Sequence, residues 1–471
     1  MPQSDLHVRV AVTGGGATGA MVAWHLLRAR PDLGADSVAI IEPRSRLGAG
    51  QAYGTSDPVH RINVPAARMS IDTQAPGDFN SWLDHAALKA DDPDAFTPDG
   101  HIYPSRAAFG AYLAARLAPE QKAGRLLHIQ ERATSIQKDG DGWKITTGSG
   151  RSLRADAVVI ATSHLPPSLP GPLRAIAEDA RLITDPWPDG ALDNIPPDAR
   201  IAIAGTGLTM ADIVASLTAR GHHGVITAFS RRGLRSRGHA AGTPAPVGDF
   251  TTDPARTANA ILALIRKAIS DNPEHPWQDV LDAARRQGPA IWSALPLEER
   301  RRLIRHLRPF WDVHRFRIAP QIEAVLDRRL AERSLRILAA RIENIEAASD
   351  GITLTIRPRN SASQILKAEY VINATGPDHA GLLTRNACLR SLHLQGLIEA
   401  DPTGLGIHTS SDHRAFSKGL SHDRLFIAGP MSRGTFGELM GLPEVTANAE
   451  SVARALADTI PLLPQHTCIG V

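Results

Sequence analysis

The sequence predicts an α/β protein organised around two strand–glycine turn–helix–strand units. The first unit begins with VRVAVTGGGATGAMVAWHLL at residues 8–27, where a β-branched strand leads through glycines into an apolar helix. The second, RIAIAGTGLTMADIVASL at residues 200–217, has the same order. With 471 residues, of which 42% are hydrophobic, the chain is long enough to form two or three lobes.

Composition argues against several classes of partner and site. The net charge is only +3 and the basic residues are scattered, so neither nucleic acid nor a membrane surface is an expected partner. No apolar run approaches ~20 residues and the first strand begins near Met1, which favours a cytoplasmic protein. Cys388 and Cys468 form no CxxC pair and the histidines show no metal-ligand spacing, so no dithiol or metal centre is predicted.

Residues 1–165 are predicted to form the first part of one domain. A strand at 7–13 and a helix at 17–29 are followed by the strand SVAIIE, which ends at Glu42. Three short strands between 127 and 147 are separated by DGDG and GSG turns, which indicates a β-meander that returns to the sheet through DAVVIAT. Residues 166–198 are rich in proline and are predicted to be a linker.

The rest of the chain is predicted in three parts. Residues 199–250 contain the second βαβ unit, with a helix at 208–220 and the strand GVITAFS. Residues 251–335 contain three or four amphipathic helical stretches and no strand pattern, so we expect a helical insertion. Residues 336–471 are predicted to complete the first domain with further strands and a closing helix at 443–460.

The first glycine turn has the spacing of a pyrophosphate-binding loop. Gly14 permits a tight turn, Gly16 lets the backbone approach a pyrophosphate, and Gly19 lets helix and strand pack closely. The helix begins at Ala17 and Thr18, and the positive end of its dipole favours phosphate. Glu42 lies at the tip of the second strand, where a carboxylate accepts hydrogen bonds from ribose hydroxyls.

The second glycine turn differs at two points. Met210 stands where a third glycine would follow Gly205 and Gly207, and the second strand ends in Ser230, Arg231 and Arg232 instead of an acid. Arginine at this place neutralises a 2′-phosphate and favours NADPH over NADH; alternatively, these arginines only cap a surface strand. Together the two units indicate FAD and NADPH bound by two Rossmann-like domains, with NADH open as the other coenzyme.

Longer stretches carry a resemblance to a known family. They are GGGATGA (14–20), GAGQAYGTSDPVHRINVPAARMS (48–70), FNSWL (79–83), YPSRAAFGAYL (103–113), AGTGLTMAD (204–212), SRRG (230–233), WDVHRFRIAP (311–320), NATGP (373–377) and GPMSRGTFGELMGLPEV (429–445). In these the chain resembles the flavoproteins with two dinucleotide-binding domains, in the branch that contains FAD-dependent urate hydroxylase and an aspartate N-monooxygenase.

The resemblance implies positions for four further residues. Asn63 is implied to lie near the isoalloxazine ring, as a catalytic residue, and Arg106 to face the phosphate or ribose of FAD. The alternative for Arg106 is a helix-terminal arginine paired with an acid. Gly376 is implied to lie beneath FAD. Gly429 is implied to precede a helix directed at the pyrimidine end of the flavin.

The resemblance also implies a monooxygenase. NADPH reduces the flavin, O2 adds to it, and the flavin hydroperoxide oxidises a small-molecule substrate. Arg315 and Arg433 are the candidate catalytic residues at the substrate; Arg315 lies in a segment that would suit a planar anion such as urate, or would form an ion-paired helix. The leading interpretation is hydroxylation of urate to 5-hydroxyisourate in purine degradation. N-hydroxylation of an amino acid or amine, and a flavin-binding NADPH oxidase or sensor, stay open, as does the oligomeric state.

Overall fold

Two β-sheets organise the protein, and each contains one of the two glycine turns. The structure is a computed structural model that describes residues 6–242, 244–378 and 381–462. Cys468 lies outside the described residues. The described strands are β1 (Leu6–Thr13), β2 (Val38–Ile41), β3 (Leu126–Ile129), β4 (Ala133–Asp139), β5 (Gly142–Thr147), β6 (Ser152–Ile160), β7 (Leu182–Ile183), β8 (Ile201–Ala204), β9 (Ile226–Ser230), β10 (Leu335–Ala348), β11 (Gly351–Pro358), β12 (Gln364–Ala368), β13 (Tyr370–Asn373), β14 (Arg414–Ser417) and β15 (Leu420–Ile427).

The helices flank the sheets and fill one long insertion. They are α1 (Ala17–Ala29), α2 (Asp78–Trp82), α3 (His85–Asp91), α4 (Arg106–Lys122), α5 (Leu208–Ala219), α6 (Ala258–Asp271), α7 (Trp277–Arg286), α8 (Gly288–Ala294), α9 (Leu297–His306), α10 (Arg308–Arg315), α11 (Pro320–Ala331), α12 (Leu382–Arg385), α13 (Ala387–Leu394), α14 (Arg433–Phe436) and α15 (Leu442–Thr459). None of the helices in the described ranges combines the length and apolar content needed to cross a bilayer.

The first sheet has the strand order β14-β15-β6-β1-β2-β3. β1 pairs in parallel with β2 on one side and with β6 on the other. Its residues enter two cores: Val10 and Val12 pack in the cluster that contains α1 and α15, and Val8 and Ala11 pack in the cluster on the opposite face. Burial on both faces explains the continuous apolar strand sequence. The predicted meander is confirmed, because β4 and β5 pair antiparallel and β5 pairs with β6.

The second sheet has the order β12-β11-β10-β9-β8-β13-β7 and corrects two predictions. The strands in 335–373 belong here and do not complete the first domain, because β10 pairs with β9 and β13 pairs with β8. Residues 166–198 are more than a linker, since β7 pairs with β13 and Leu173 and Leu182 are buried beneath the sheet. After residue 381 the chain returns to the first sheet through β14 and β15.

The helical insertion lies between β9 and β10. In the described residues it comprises six helices, α6–α11, where the sequence predicted three or four. α11 packs against α5, the helix that follows the second glycine turn, and α8 contacts α14 in the C-terminal segment. The insertion therefore bridges the two sheets.

Candidate functional site

The first glycine turn joins β1 to α1 and packs against the end of β6. Gly14 has a φ of 99°, a conformation that residues with a Cβ rarely adopt. A Cβ added there would lie 2.5 Å from the carbonyl oxygen of Ala161. At Gly19 an added Cβ would collide with the carbonyl oxygen of Gly14. The close approach of β1, β6 and α1 therefore requires glycine at both positions.

The N-terminus of α1 is open to a ligand. Gly16 is the N-cap residue and makes no side-chain capping bond, and the first turn from Ala17 contains no acid. Gly429, after β15, has a φ of 72°, and a Cβ there would lie 2.6 Å from Oγ1 of Thr18. These residues form a backbone-lined cradle at a positive helix end, which suits the pyrophosphate of FAD.

Glu42 fixes the first glycine turn from the end of β2. Its side chain is buried, and Oε2 accepts a hydrogen bond from the N–H of Gly15 at 2.9 Å. Oε1 accepts from the N–H of Arg44 at 3.1 Å. Each carboxylate oxygen has two lone pairs, so the predicted acceptance of ribose hydroxyls is compatible with these bonds.

The second glycine turn repeats this arrangement with different side chains. Gly205 has a φ of 127°, and Gly207 is the uncapped N-cap of α5, whose first turn contains no acid. A Cβ on Gly207 would meet no atom within 4 Å. Oγ1 of Thr206 lies 2.8 Å from Oγ of Ser230, so a serine holds this turn where Glu42 holds the first. Met210, in the third-glycine position, is fully buried.

Gly376 lies at the second turn, and its implied position beneath FAD stays a prediction. β13 runs parallel to β8, so both strands end at the same edge of the second sheet. A Cβ on Gly205 would collide with the carbonyl oxygen of Ala374. Gly376 itself has a φ of 85° and open space beside its Cα. The NATGP stretch therefore borders the second glycine turn.

Arg231 and Arg232 follow Ser230 at the end of β9, beside the second turn. Arg231 is exposed. The Arg232 guanidinium lies 5.5 Å from the centre of the Phe310 ring in α10. Their position fits a 2′-phosphate contact, which stays a prediction.

Two segments connect the sheets and lie side by side. The chain leaves the first sheet after β6 and returns to it after β13. Leu165 in the first crossing and Asp378 in the second form an antiparallel bridge. Ala161 and Ala374 each lie at the start of one of these two connecting segments. Ala161 packs on the first glycine turn and Ala374 on the second.

Arg106 joins the two nucleotide-binding units, and its implied contact with FAD stays a prediction. It begins α4, and its Nη2 lies 2.8 Å from Oδ2 of Asp212 in α5. Its Nε donates to the carbonyl of Arg61 at 2.9 Å. Both side chains of the ion pair are largely buried. The alternative of a helix-terminal arginine paired with an acid therefore describes Arg106.

Asn63 lies in the segment between β2 and α2, next to the segment that follows β9. Its carbonyl accepts a hydrogen bond from Nε2 of His239 at 3.0 Å, so the neutral ring of His239 carries its proton on Nε2. Burial, reinforced by nearby Arg317, lowers the pKa of His239 to about 4. The contact between Asn63 and the isoalloxazine ring stays a prediction.

A cavity of about 500 Å³ lies between the insertion and the segment 433–440. Its lining is mostly aliphatic and aromatic and comes from α6–α10, for example Ile265, Trp277 and Trp311. The polar groups on its wall include Asp312, Arg433 and Glu438. A largely apolar cavity with a few polar groups is typical of a small-molecule site.

Arg315 is not available to a substrate in this arrangement. It is buried, its Nε lies 2.5 Å from Oε1 of Glu438, and its Nη2 lies 3.2 Å from Oε2 of Glu444. Its neighbour Arg317 forms a bidentate pair with Asp282 at 2.9 and 3.1 Å. The prediction of a catalytic role for Arg315 is therefore wrong: it belongs to a buried ion-pair network.

Arg433, in contrast, lines the cavity and lacks an acidic partner. It is 5% exposed, and within the described ranges its Nε has no hydrogen-bond partner and its guanidinium has no carboxylate within 4.0 Å. Burial lowers its pKa to about 10, and the charge of Arg308 acts in the same direction. A buried guanidinium without a partner is costly, so this position favours an anionic ligand.

Two acids that were not predicted from the sequence fix the arginines of this region. Glu438 holds Arg315 and also accepts from Trp311 Nε1 at 3.1 Å, and Asp212 holds Arg106. No local pattern marks these acids, because their partners lie in distant segments. In the described part of the chain, no group of three or more His, Cys, Asp or Glu side chains could hold a metal ion.

Comparison with known proteins agrees with this description. Residues 11–165 match a family described as FAD-NAD(P)-binding, in accord with the dinucleotide site predicted there. No curated protein matches the sequence.

Solved structures match over nearly the whole chain. Ornithine hydroxylase of Pseudomonas aeruginosa is 17% identical with a TM-score of 0.65, over 97% of this chain and 100% of that chain. Kutzneria ornithine N-hydroxylase, solved with reduced FAD, NADP+ and L-ornithine, is 18% identical (TM-score 0.62, 96% and 99% coverage). L-lysine 6-monooxygenase of Pseudomonas syringae is 17% identical (TM-score 0.62, 97% and 100% coverage). These likenesses establish the fold, and they confirm the predicted α/β class with two dinucleotide-binding units.

Proposed function

We propose that this protein is an FAD- and NADPH-dependent monooxygenase that hydroxylates the nitrogen of an amine or amino acid. The observation that carries the proposal is the presence of two uncapped glycine turns that have different side chains beside them. Glu42 stands beside the first turn, as suits a ribose, and Ser230 and Arg231 stand beside the second, as suits a 2′-phosphate. The family match of residues 11–165 supports the first of these sites.

When bound, FAD supplies the redox chemistry, by which NADPH and O2 deliver one oxygen atom to a nucleophilic nitrogen. The protein binds and orients the reactants. The cradle at Gly14–Gly19 and Gly429 would hold the FAD pyrophosphate, and the turn at Gly205–Gly207 would hold that of NADPH. The cavity of the insertion would hold the substrate.

N-hydroxylation is preferred to oxidation of urate for two reasons. The matching ornithine and lysine hydroxylases share the fold over 96–97% of this chain. Arg315, in the segment that would suit urate, and its neighbour Arg317 are each bound to a carboxylate. A planar anion would find neither donor free.

The test is a substrate panel with the purified protein. We expect bound flavin in the visible spectrum, and oxidation of NADPH that an amino acid or amine accelerates with formation of a hydroxylamine one oxygen atom heavier. Urate should give no acceleration. Oxidation of NADPH that yields only hydrogen peroxide with every amine would contradict the proposal and favour the NADPH oxidase.

A further inference from the structure

The cavity of the insertion has a largely apolar body, with exposed Arg266 of α6 in its lining, and a cluster of charged residues at one end. Ile261, Ile265 and Ile269 lie along α6, and aromatic rings of α7 and α10 lie opposite them. No carboxylate among the described residues lines this part of the cavity. A substrate with a charged side-chain end, such as ornithine, would have to bury that charge among isoleucines without a partner, which is unfavourable.

At the charged end the acids are already in use. Asp312 accepts from Nε of Arg308 at 3.2 Å, and Glu438 is bound to Arg315. Glu444, behind Glu438, is bound by Arg285 at 2.7 Å. These ion pairs leave Arg433 as the guanidinium of this cluster without a carboxylate within 4.0 Å in the described residues. The end of the cavity thus carries an uncompensated positive charge.

We propose that the cavity binds an α-amino acid with a large aromatic or long aliphatic side chain. The carboxylate of this substrate pairs with Arg433, and its side chain lies among the apolar residues of α6, α7 and α10. A buried guanidinium forms strong, charge-assisted bonds with a carboxylate. A cavity of about 500 Å³ also lies in the size range that encloses a drug-sized molecule.

This inference rests on the proposed N-hydroxylation, which fixes the nitrogen as the reacting atom. The balanced reaction is R–NH2 + O2 + NADPH + H+ → R–NHOH + H2O + NADP+. Two electrons from NADPH and two from the nitrogen reduce O2, one oxygen atom enters the new N–O bond, and the other leaves as water. The α-amine stands one carbon from the carboxylate, so Arg433 also determines where the nitrogen lies.

The experiment compares binding and turnover in the flavin-loaded protein. Binding probes are decanoate and decylamine, which share an apolar chain and differ in the sign of the charge. Turnover substrates are L-2-aminodecanoate, L-tryptophan, L-ornithine and urate. We expect decanoate to bind at least about 30-fold more tightly than decylamine, and the two apolar amino acids to have the highest kcat/KM for hydroxylamine formation.

Variants separate the two parts of the cavity. Arg433→Gln should weaken decanoate at least about 30-fold, and Arg433→Lys should retain part of the affinity. Ile269→Glu should weaken the binding of decanoate but not that of acetate, a short carboxylate used as a third probe, because only the long chain reaches α6. Arg305→Gln, at an exposed arginine of α9 outside the cavity lining, is the charge-matched control and should bind decanoate like the wild type. The melting temperature of each variant identifies those that fail to fold.

Each result decides one proposal. Wild-type protein that fails to bind decanoate, or an Arg433→Gln protein that binds it normally, overturns the substrate inference. Preferred turnover of ornithine overturns it too, while the monooxygenase proposal stands. Decanoate binding that depends on Arg433, together with no hydroxylamine from any amine, supports the carboxylate site and overturns the proposed reaction.

Discussion

At the residue scale, Gly14 shows how one backbone conformation supports a cofactor site. Its φ is 99°, and a Cβ would lie 2.5 Å from the Ala161 carbonyl oxygen. We expect Gly14→Ala to lower the free energy of unfolding by about 2 kcal/mol, and to lower the flavin content after purification, because the turn must open. Urea denaturation and the ratio of flavin to protein absorbance measure the two effects.

The matched control for that substitution is Gly34→Ala. Gly34 is exposed, and an added Cβ would meet no atom within 4 Å. We expect a change below about 0.5 kcal/mol and full flavin content. Similar losses in both variants would contradict the role assigned to the first turn.

His239 couples the stability of the protein to pH. Its pKa is about 4 in the folded chain and 6.5 when unperturbed, so between these values the unfolded chain binds a proton that the folded chain does not. The contribution of neutral His239 to the free energy of unfolding is therefore fully present above pH 6.5. It falls as the pH drops below that value, and the loss at pH 5 is about 2 kcal/mol.

His239→Gln tests this contribution, because glutamine does not titrate and can still donate to the Asn63 carbonyl. Between pH 7 and pH 5, the unfolding free energy of the variant should fall less than that of the wild type. Parallel pH profiles of the two proteins would show that His239 does not carry the effect.

At the element scale, the ion pair of Arg106 and Asp212 connects α4 to α5 and hence the two nucleotide-binding units. Each single substitution, Arg106→Gln or Asp212→Asn, leaves one charge buried without its partner. We expect each to cost about 3 kcal/mol of unfolding free energy, and the double variant to cost less than the sum. Urea denaturation of the wild type, the two single variants and the double variant gives the double-mutant cycle.

Flavin content distinguishes this pair from the contact with FAD that the resemblance implied. Both single variants should bind flavin to the same extent, because Arg106 and Asp212 are already paired with each other. Loss of flavin from Arg106→Gln alone would support the contact between Arg106 and FAD that the resemblance implied.

Elements with local signals were predictable from the sequence, and their partners were not. α1 lies at the predicted residues, and α15 is within one residue of its prediction, because glycine, proline and apolar periodicity are local. The sheet to which β10 and β13 belong depends on pairing with β9 and β8, far away in the chain. The sequence does contain a signal for the number of helices in the insertion. Pro289, Pro309 and Pro320 each lie in the first turn of a new helix, where proline is favoured.

For the whole molecule, the residues of the site also divide into those with a local sequence signal and those whose role depends on distant partners. Spacing predicted the glycine turns and Glu42 as a cofactor site, and the place of Arg433 after the last strand made it a candidate; the structure places Glu42 on the first turn and Arg433 on the cavity wall. Arg315 was assigned wrongly, because its partners Glu438 and Glu444 lie more than a hundred residues away and only folding brings them together. A sequence shows where an arginine is, but whether an acid already neutralises it depends on tertiary structure.

The two sheets together predict one cofactor that stays bound and one coenzyme that exchanges, and the residues after β9 decide which coenzyme that is. Replacing Arg231 and Arg232 with alanine should raise the KM for NADPH about tenfold or more and leave the KM for NADH and kcat unchanged, because only NADPH carries the 2′-phosphate. Replacing Arg200 and Arg336 with alanine is the charge-matched control, because both are exposed arginines at the start of β8 and β10, at the opposite end of the same sheet. Steady-state kinetics with both coenzymes makes the comparison. An equal rise in both KM values would mean that the two arginines only cap the strand.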